Sequence, residues 1–397
     1  MGIMDNYKRH KFLWKVLCPI AGPIFKPMFA CSCKKAPEIK APYLVLANHN
    51  TDIDPGFLGF SFSKQQMYFV ASEHVYRAGL ASAILRFVFE PIAKRKGTSD
   101  ALTVMKAIRT LREGRNVCLF PEGQRSFNGR TGPIAVATGK LVKASKATLV
   151  TYKFEGGYFA TPRWGKGIRR GKMSGYVVNV YDPETLAQKT PEEITEIICR
   201  DLHEDAYERQ KENPIAYKGK NLAEGMESAL CVCQKCQKID TLSTKKNSIF
   251  CESCGFTTDI DVYGYYSDTS KFKTLAEWDD FQTEYFKDFV EKNKSEENVF
   301  LFSDDEVTLK LVKAEHQEEV VGTGKFEMYT KNFSFKCEGK EVDLPLCDIV
   351  DISMHGRQTL VFSDNKGNYY ELTSSNPKKQ KKLKNVRKYI ICFNNLK

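Results

Sequence analysis

Tyr43-Leu44-Val45-Leu46-Ala47-Asn48-His49-Asn50-Thr51-Asp52-Ile53-Asp54-Pro55 decides how the first half of this 397-residue chain reads. Its five leading apolar residues predict a buried strand that runs straight into a polar cluster. Asn50, Thr51 and Asp52 are turn and cap formers, and Pro55 favours a helix start just beyond them. His49 and Asp54 stand five apart, about 140° around a regular helix, so their side chains meet only if the chain bends between them. In such a bend Asp54 accepts from one ring nitrogen, fixing the tautomer, and the other nitrogen is left to take a proton from an alcohol. A cluster this polar after an apolar strand is costly unless it lines a site.

A second strand-like run, Asn116-Val117-Cys118-Leu119-Phe120, continues into Pro121-Glu122-Gly123-Gln124-Arg125-Ser126. A glycine turn at that place brings backbone N–H groups and the Arg125 guanidinium to bear on one anion. Together the two stretches suit the deprotonation of a hydroxyl on a phosphorylated acceptor. Between them, residues 99–113 predict a helix with Ala101, Val104, Met105, Ile108 and Leu111 on one face and Gly114 ending it. Residues 147–152 and 175–180 add strands, and Thr190-Pro191-Glu192-Glu193 is a capping box opening a helix to about Glu212. Strand, helix, strand with reactive residues past the strand ends predicts an open α/β sheet over 41–212.

Charge is distributed unevenly. Residues 1–200 carry 31 Lys and Arg against 15 Asp and Glu, while residues 201–397 carry 29 against 34. The basic half holds the histidine motif, and its surplus raises the local concentration of anionic partners without choosing among them. No run of eighteen apolar residues and no secretory opening is seen, so neither a spanning helix nor export is expected. Thirteen cysteines, an odd number, then point to reduced thiols and metal ligation, with a cytoplasmic location. Within 1–40, residues 11–33 are apolar but interrupted by lysines and by Pro19, Pro23 and Pro27. The prolines predict a broken helix, leaving short elements that either contact a membrane surface or fold against their own domain.

Over roughly half the chain, residues 41–210, the sequence resembles the lysophospholipid and glycerol-3-phosphate acyltransferases. The family's Asn-His-x-Ser-x-x-Asp is met by Asn48 to Asp54, with Thr51 for serine, and its Phe-Pro-Glu-Gly-Thr-Arg-Ser by Phe120 to Ser126, with Gln124 for threonine. The second signature, Gly-x-x-Phe-Ile-x-Arg, is poorer: Phe89 to Arg95 keeps only the arginine clearly. The fourth reads Thr148-Leu149-Val150-Thr151, with threonine in both proline positions. The resemblance implies an α/β acyltransferase domain in which His49 is the general base and Asp54 orients it. It also implies that Glu122 and Gly123 shape the acceptor pocket and that Arg125 and Arg95 bind the acceptor phosphate. The acceptor oxygen would displace the thiol of acyl-CoA or acyl-ACP directly, with no acyl-enzyme.

Cys233-Gln234-Lys235-Cys236 and Cys251-Glu252-Ser253-Cys254, fourteen residues apart, resemble a zinc ribbon over 226–262. Four thiolates on two tight turns close a tetrahedral shell around a structural zinc, with Gly255 supplying freedom in φ and Cys231 standing aside. The flanking residues are not notably basic, which speaks against nucleic acid as the partner. Thr274 opens a capped helix over 270–292 whose Leu275, Trp278, Phe281, Tyr285, Phe286 and Phe289 form a packing stripe.

From 299 to 397 the pattern becomes period-two strands closed by a helix, a layout resembling a β-rich, pleckstrin-homology-like small barrel. Lys378, Lys379, Lys381, Lys382, Lys384, Arg387 and Lys388 on its last segment suit either anionic lipid or plain solvent. His74, His203, His316 and His355 stand without motifs. The expectation is thus a cytoplasmic, membrane-peripheral O-acyltransferase for phospholipid biosynthesis, with a lysophospholipid acceptor, first among them 1-acyl-sn-glycerol 3-phosphate. The alternatives are glycerol 3-phosphate or another lyso-lipid as acceptor, or a non-catalytic, zinc-containing nucleic-acid or lipid-binding adaptor.

Overall fold

Strand β2 (Tyr43–Ala47) is buried at every position and is the central strand of a seven-stranded sheet, which is why it reads as an unbroken apolar run. The computed structural model describes residues 3–72, 87–94, 101–295, 297–312, 318–356, 358–374, 383 and 386–397, with side chains from residue 6 onward. Arg95, His74, His316 and Lys378, Lys379, Lys381, Lys382 and Lys384 lie outside the described residues. The described residues divide into two units, those up to 219 and those from 220 to 397.

In the first unit the sheet runs β1 (Cys31–Cys33), β7 (Met173–Tyr181), β6 (Thr148–Glu155), β2, β5 (Asn116–Leu119), β3 (Met67–Ser72), β4 (Ile92–Lys94). All neighbours are parallel except β6 and β7. Both motifs therefore leave the sheet at the same edge, past the ends of β2 and β5. On one face Leu44, Leu46, Val117 and Leu149 pack with Ala107 and Leu111 of helix Ala101–Arg112, Leu141 and Val142 of helix Val136–Ser145, and Ile194, Ile198 and Leu202 of helix Pro191–Leu202. On the other, the Tyr43 and Tyr152 rings flank Phe62, and Trp14 stacks on Phe69.

Three expectations are corrected. Residues 3–28 form one helix, α1 (Ile3–Met28), with Pro19, Pro23 and Pro27 inside it. Prolines four apart share a stripe, and here that stripe is exposed, while His10, Trp14 and Gly22 on the other side are buried. Packing of Trp14, whose Nε1 donates to the Phe62 carbonyl at 3.2 Å, outweighs the lost backbone bonds. Met105 is 62% exposed, so the buried stripe of its helix is Val104, Ala107, Ile108 and Leu111. The helix from Pro191 stops at Leu202, and a second, Ala206–Glu212, is capped by the Asp205 carboxylate. Thr131 fits into that break, its N–H donating to the Glu204 carbonyl at 2.9 Å and its hydroxyl to that of Leu202 at 3.0 Å.

The second unit opens with a three-stranded sheet, β10 (Thr257–Asp259), β9 (Ser248–Cys251), β8 (Leu242–Lys245), followed by the helix Leu275–Asn293. Its Thr274 hydroxyl accepts from Glu277 N, while the Glu277 carboxylate takes the N–H of Lys273. Seven antiparallel strands then form one sheet ordered β14 (Lys340–Pro345), β13 (Asn332–Cys337), β12 (Glu318–Tyr329), β11 (Phe300–Val312), β17 (Tyr369–Ser374), β16 (Thr359–Asp364), β15 (Ile349–His355). The C-terminal helix Val386–Leu396 buries Tyr389 among Phe302, Phe326 and Phe333. Arg387 and Lys388 do not form a basic outer face. Arg387 pairs with Asp279, and Lys388, fully buried, pairs with Asp240 and with Asp304 at 2.9 Å.

Gly139 marks the closest approach of two helices, since a Cβ there would stand 2.0 Å from the Pro191 carbonyl oxygen and 2.5 Å from Thr195 Oγ1. Gly139→Ala is expected to cost about 1–3 kcal/mol, read as a lowered urea midpoint for the first unit.

Candidate active site and metal centre

The Asp54 carboxylate draws the chain after β2 into a tight bend. Its Oδ2 accepts from Asn50 N at 2.7 Å, Thr51 N at 2.8 Å and His49 Nδ1 at 3.0 Å, and its Oδ1 from Thr51 Oγ1 at 2.5 Å. Asp54 is fully buried, and these four donors replace the water it gives up. The bend is the one the five-residue spacing requires. It turns Nδ1 of His49 toward a fixed acceptor and leaves Nε2 for a substrate, with 19% of the side chain open to solvent. The imidazole also stacks on Phe120, centroids 4.2 Å apart.

The second motif holds the main chain of His49 from both sides. His49 N donates to Glu122 Oε1 at 2.7 Å, and the His49 carbonyl accepts from Ser126 N at 2.8 Å. Glu122 Oε2 accepts from Gly132 N at 2.6 Å, so this side chain pins three segments together. Burial pushes its pKa up to about 8, against the pull of the Gly132 and His49 N–H groups. Gly123 adopts φ +70°, and its N–H closes the turn onto the Phe120 carbonyl at 3.1 Å, so that donor is used within the loop. Asn48 spans the same edge, donating from Nδ2 to the Phe154 carbonyl at 2.8 Å and accepting from Phe154 N at 2.7 Å.

His49, Asp54, Glu122, Gly123 and Arg125 are thus brought together, while Arg95 lies outside the described residues. Arg125 Nε meets Asp52 Oδ1 at 3.1 Å, and the Asp52 side chain is 80% exposed. Ion pairs that open to water contribute about 0–1 kcal/mol, so an anionic ligand can take the carboxylate's place at little cost. Two basic residues escaped the sequence reading. Lys94, at the end of β4, has its Nζ 3.9 Å from where a Cβ on Gly123 would stand. Arg163, 3% exposed, donates to Gln124 Oε1 at 3.0 Å and the Arg125 carbonyl at 3.4 Å, giving Gln124 a partner. Lys94 stands inside the Phe89–Arg95 signature, next to its arginine, whereas nothing in the spacing of Arg163 pointed to the loop. Thr151, in a proline position of the fourth signature, donates to the buried carboxylate of Asp201 at 2.8 Å.

In the second unit the Sγ atoms of Cys233, Cys236, Cys251 and Cys254 lie within 4.8 Å of one another. Two of the separations, 3.8 Å for Cys233–Cys254 and 3.7 Å for Cys236–Cys251, match the edge of about 3.8 Å of a tetrahedron with zinc–sulfur bonds near 2.3 Å. The four cysteines can therefore hold a zinc ion. Both turns have one design: Gln237 N donates to the Cys233 carbonyl and Gly255 N to that of Cys251, with φ +58° and +69°. Cys231 stands outside the cluster, its N–H bonded to Gln282 Oε1.

Residues 31–155 match the acyltransferase family model, a span that takes in both motifs. Among solved structures the chain is similar to the 1-acyl-sn-glycerophosphate (LPA) acyltransferase PlsC from Thermotoga maritima, at 17% identity and TM-score 0.41, over 49% of this chain and 80% of that one. It is also similar to a chain of the 8S snRNP assembly intermediate, at 13% identity and TM-score 0.19 over 26% of this chain and 83% of that one. A further similar structure is the C-terminal domain of an unknown protein from Leishmania infantum, at 12% identity and TM-score 0.18 over 30% of this chain and 95% of that one. No curated protein matches the chain.

Glu122→Gln would set an amide NH2 against one of two backbone N–H groups, and the expected loss is about 1–3 kcal/mol of stability in urea unfolding. For the metal centre, elemental analysis after purification without chelators is expected to find one zinc per chain, and Cys251→Ser to bind it more weakly in competition with a chromogenic chelator.

Proposed function

We propose that the first unit is an O-acyltransferase that moves a fatty acyl group from acyl-CoA or acyl-ACP to a lysophospholipid-like hydroxyl, with 1-acyl-sn-glycerol 3-phosphate the acceptor. The observation that carries this reading is the His49–Asp54 pair, partly open and gripped by the Phe120–Ser126 loop, inside a segment that matches the acyltransferase family. His49 Nε2 takes the acceptor's hydroxyl proton as the oxygen attacks the thioester carbonyl. The carbon–sulfur bond then breaks, and the departing thiolate recovers the proton from the imidazolium. Asp54 holds the tautomer and stabilises the imidazolium, and Glu122 and Gly123 shape the wall of the acceptor pocket. Arg125, with Arg95 beside it in role, binds the acceptor phosphate.

Along α1, Phe12, Val16, Ile20, Ile24 and Met28 recur every four residues and are 40–66% exposed, with Lys11 and Lys15 beside them, a face suited to the headgroup boundary of a cytoplasmic membrane surface. Among the described residues no helix is long and apolar enough to cross a membrane. The four-cysteine centre would be a closed structural zinc ribbon. The strand order from β14 to β15, with two margins and a C-terminal helix over the core, supports a pleckstrin-homology-like arrangement for the last domain.

Purified protein is offered an acyl thioester and a panel of lyso-acceptors, with the lipid formed read by mass spectrometry. His49→Ala is expected to lower turnover by about 10²–10⁴, and Arg125→Ala to raise KM for the phosphorylated acceptor more than it lowers kcat. Undiminished product from His49→Ala would remove the mechanism.

A further inference from the structure

Cys31 and Cys33 are the outer two residues of β1 and take no part in the site described above. Alternate residues of a strand point to one face with their Cα atoms about 6.6 Å apart, a spacing at the long end of what a disulfide spans. The two sulfurs stand 3.1 Å apart. Their surroundings are unequal. Cys31 is 6% exposed, whereas Cys33 is half-buried and is the sulfur a reagent meets first. Gly175, the register partner of Cys33 on β7, leaves room for the Tyr152 hydroxyl, which lies 2.4 Å from where a Cβ on that glycine would stand. The hydrogen bond with Cys31, and then Lys26 and the Tyr152 hydroxyl, draw the Cys33 thiol below its ordinary pKa against the effect of burial. The same hydrogen bond, with burial, pushes Cys31 up.

We infer that Cys31 and Cys33 are a redox modification site, a vicinal dithiol that closes to an intramolecular disulfide by exchange with a low-molecular-weight disulfide. Cys33, as thiolate, attacks one sulfur of the reagent, whose S–S bond breaks and releases one thiolate. Cys31 gives its proton to that thiolate and attacks the Cys33 sulfur, releasing the second half of the reagent as a thiol once it is protonated from solvent. The dithiol loses two electrons, and the reagent is reduced to two thiols. Closure must draw the sulfurs together within an extended strand held to β7, so the bond is strained and easily reduced again, as reversible disulfides are. Ala30, at φ +48°, is the single residue between Phe29 and the strand, so contraction of β1 acts directly on the end of α1. This site stands independently of the acyltransferase reading.

The full chain, kept with zinc, is equilibrated in graded ratios of glutathione and glutathione disulfide, quenched with acid and alkylated, and the peptide ending at Lys34 is read by mass spectrometry. The expected product is that peptide with Cys31 and Cys33 joined to each other, lighter there by two hydrogens and without glutathione, and with Cys18, its third cysteine, alkylated; added thiol restores the dithiol. Cys31→Ser is expected to leave Cys33 carrying one glutathione, and Cys33→Ser to leave Cys31 largely unmodified, with unchanged thermal unfolding showing that both variants fold. The inference is overturned if the wild-type pair stays reduced at every ratio, carries glutathione on both sulfurs, or pairs with other cysteines instead.

Discussion

The sheet edge that carries both motifs of the first unit depends on the main chain of His49 being held at both ends by a loop from another strand. Its N–H goes to Glu122 and its carbonyl to Ser126 N. Parallel pairing of β2 and β5 brings the two motifs to one edge, but pairing alone fixes only the strands. The side chain of Glu122 turns proximity into a fixed geometry, because a carboxylate that also accepts from Gly132 N leaves the loop one arrangement in which all three groups are satisfied. Asp54 does the same inside the first motif. Loss of either carboxylate would strand buried donors as well as weaken one contact.

What could be read from the sequence follows from how local each determinant is. The strand at Tyr43–Ala47 and the bend at Asn50–Asp54 are set by neighbours in sequence, and so are the two cysteine knuckles, so all appear as patterns. The departures are settled by contacts with distant residues. The prolines of α1 are tolerated because Trp14, on the other side of the helix, packs on Phe69 and bonds to Phe62. The Leu202 break is held by Thr131. Strands β14 and β15 are the two margins of their sheet, and in β14 polar residues such as Lys340, Glu341 and Asp343 blur the alternation that marks an inner strand. Gln124 looked like a loss from its motif until Arg163 arrived from a loop some forty residues on.

In the second unit a buried cation joins parts that sequence reading kept separate. Lys388 lies among Asp240, between the two cysteine knuckles, and Asp304, on β11, while Tyr389 OH donates to Asp304 at 2.6 Å. A fully buried ammonium is tolerated only when paired and hydrogen-bonded, so removal of either carboxylate would cost more than the pair contributes net. The knuckle region, β11 and the C-terminal helix therefore meet at one buried charge cluster. A lysine-rich segment that suggested an outward basic face turns out to be partly an internal fastener.

Under the proposed function, the Asp52–Arg125 pair bears on which anions the guanidinium would accept. An incoming group with a single charge merely exchanges with the Asp52 carboxylate and gains nothing from Coulomb attraction. A phosphate monoester, carrying nearly two charges at neutral pH, comes out ahead. Because that pair is open to water and weak, the exposed aspartate would give a doubly charged group only a slight preference over carboxylates and phosphodiesters.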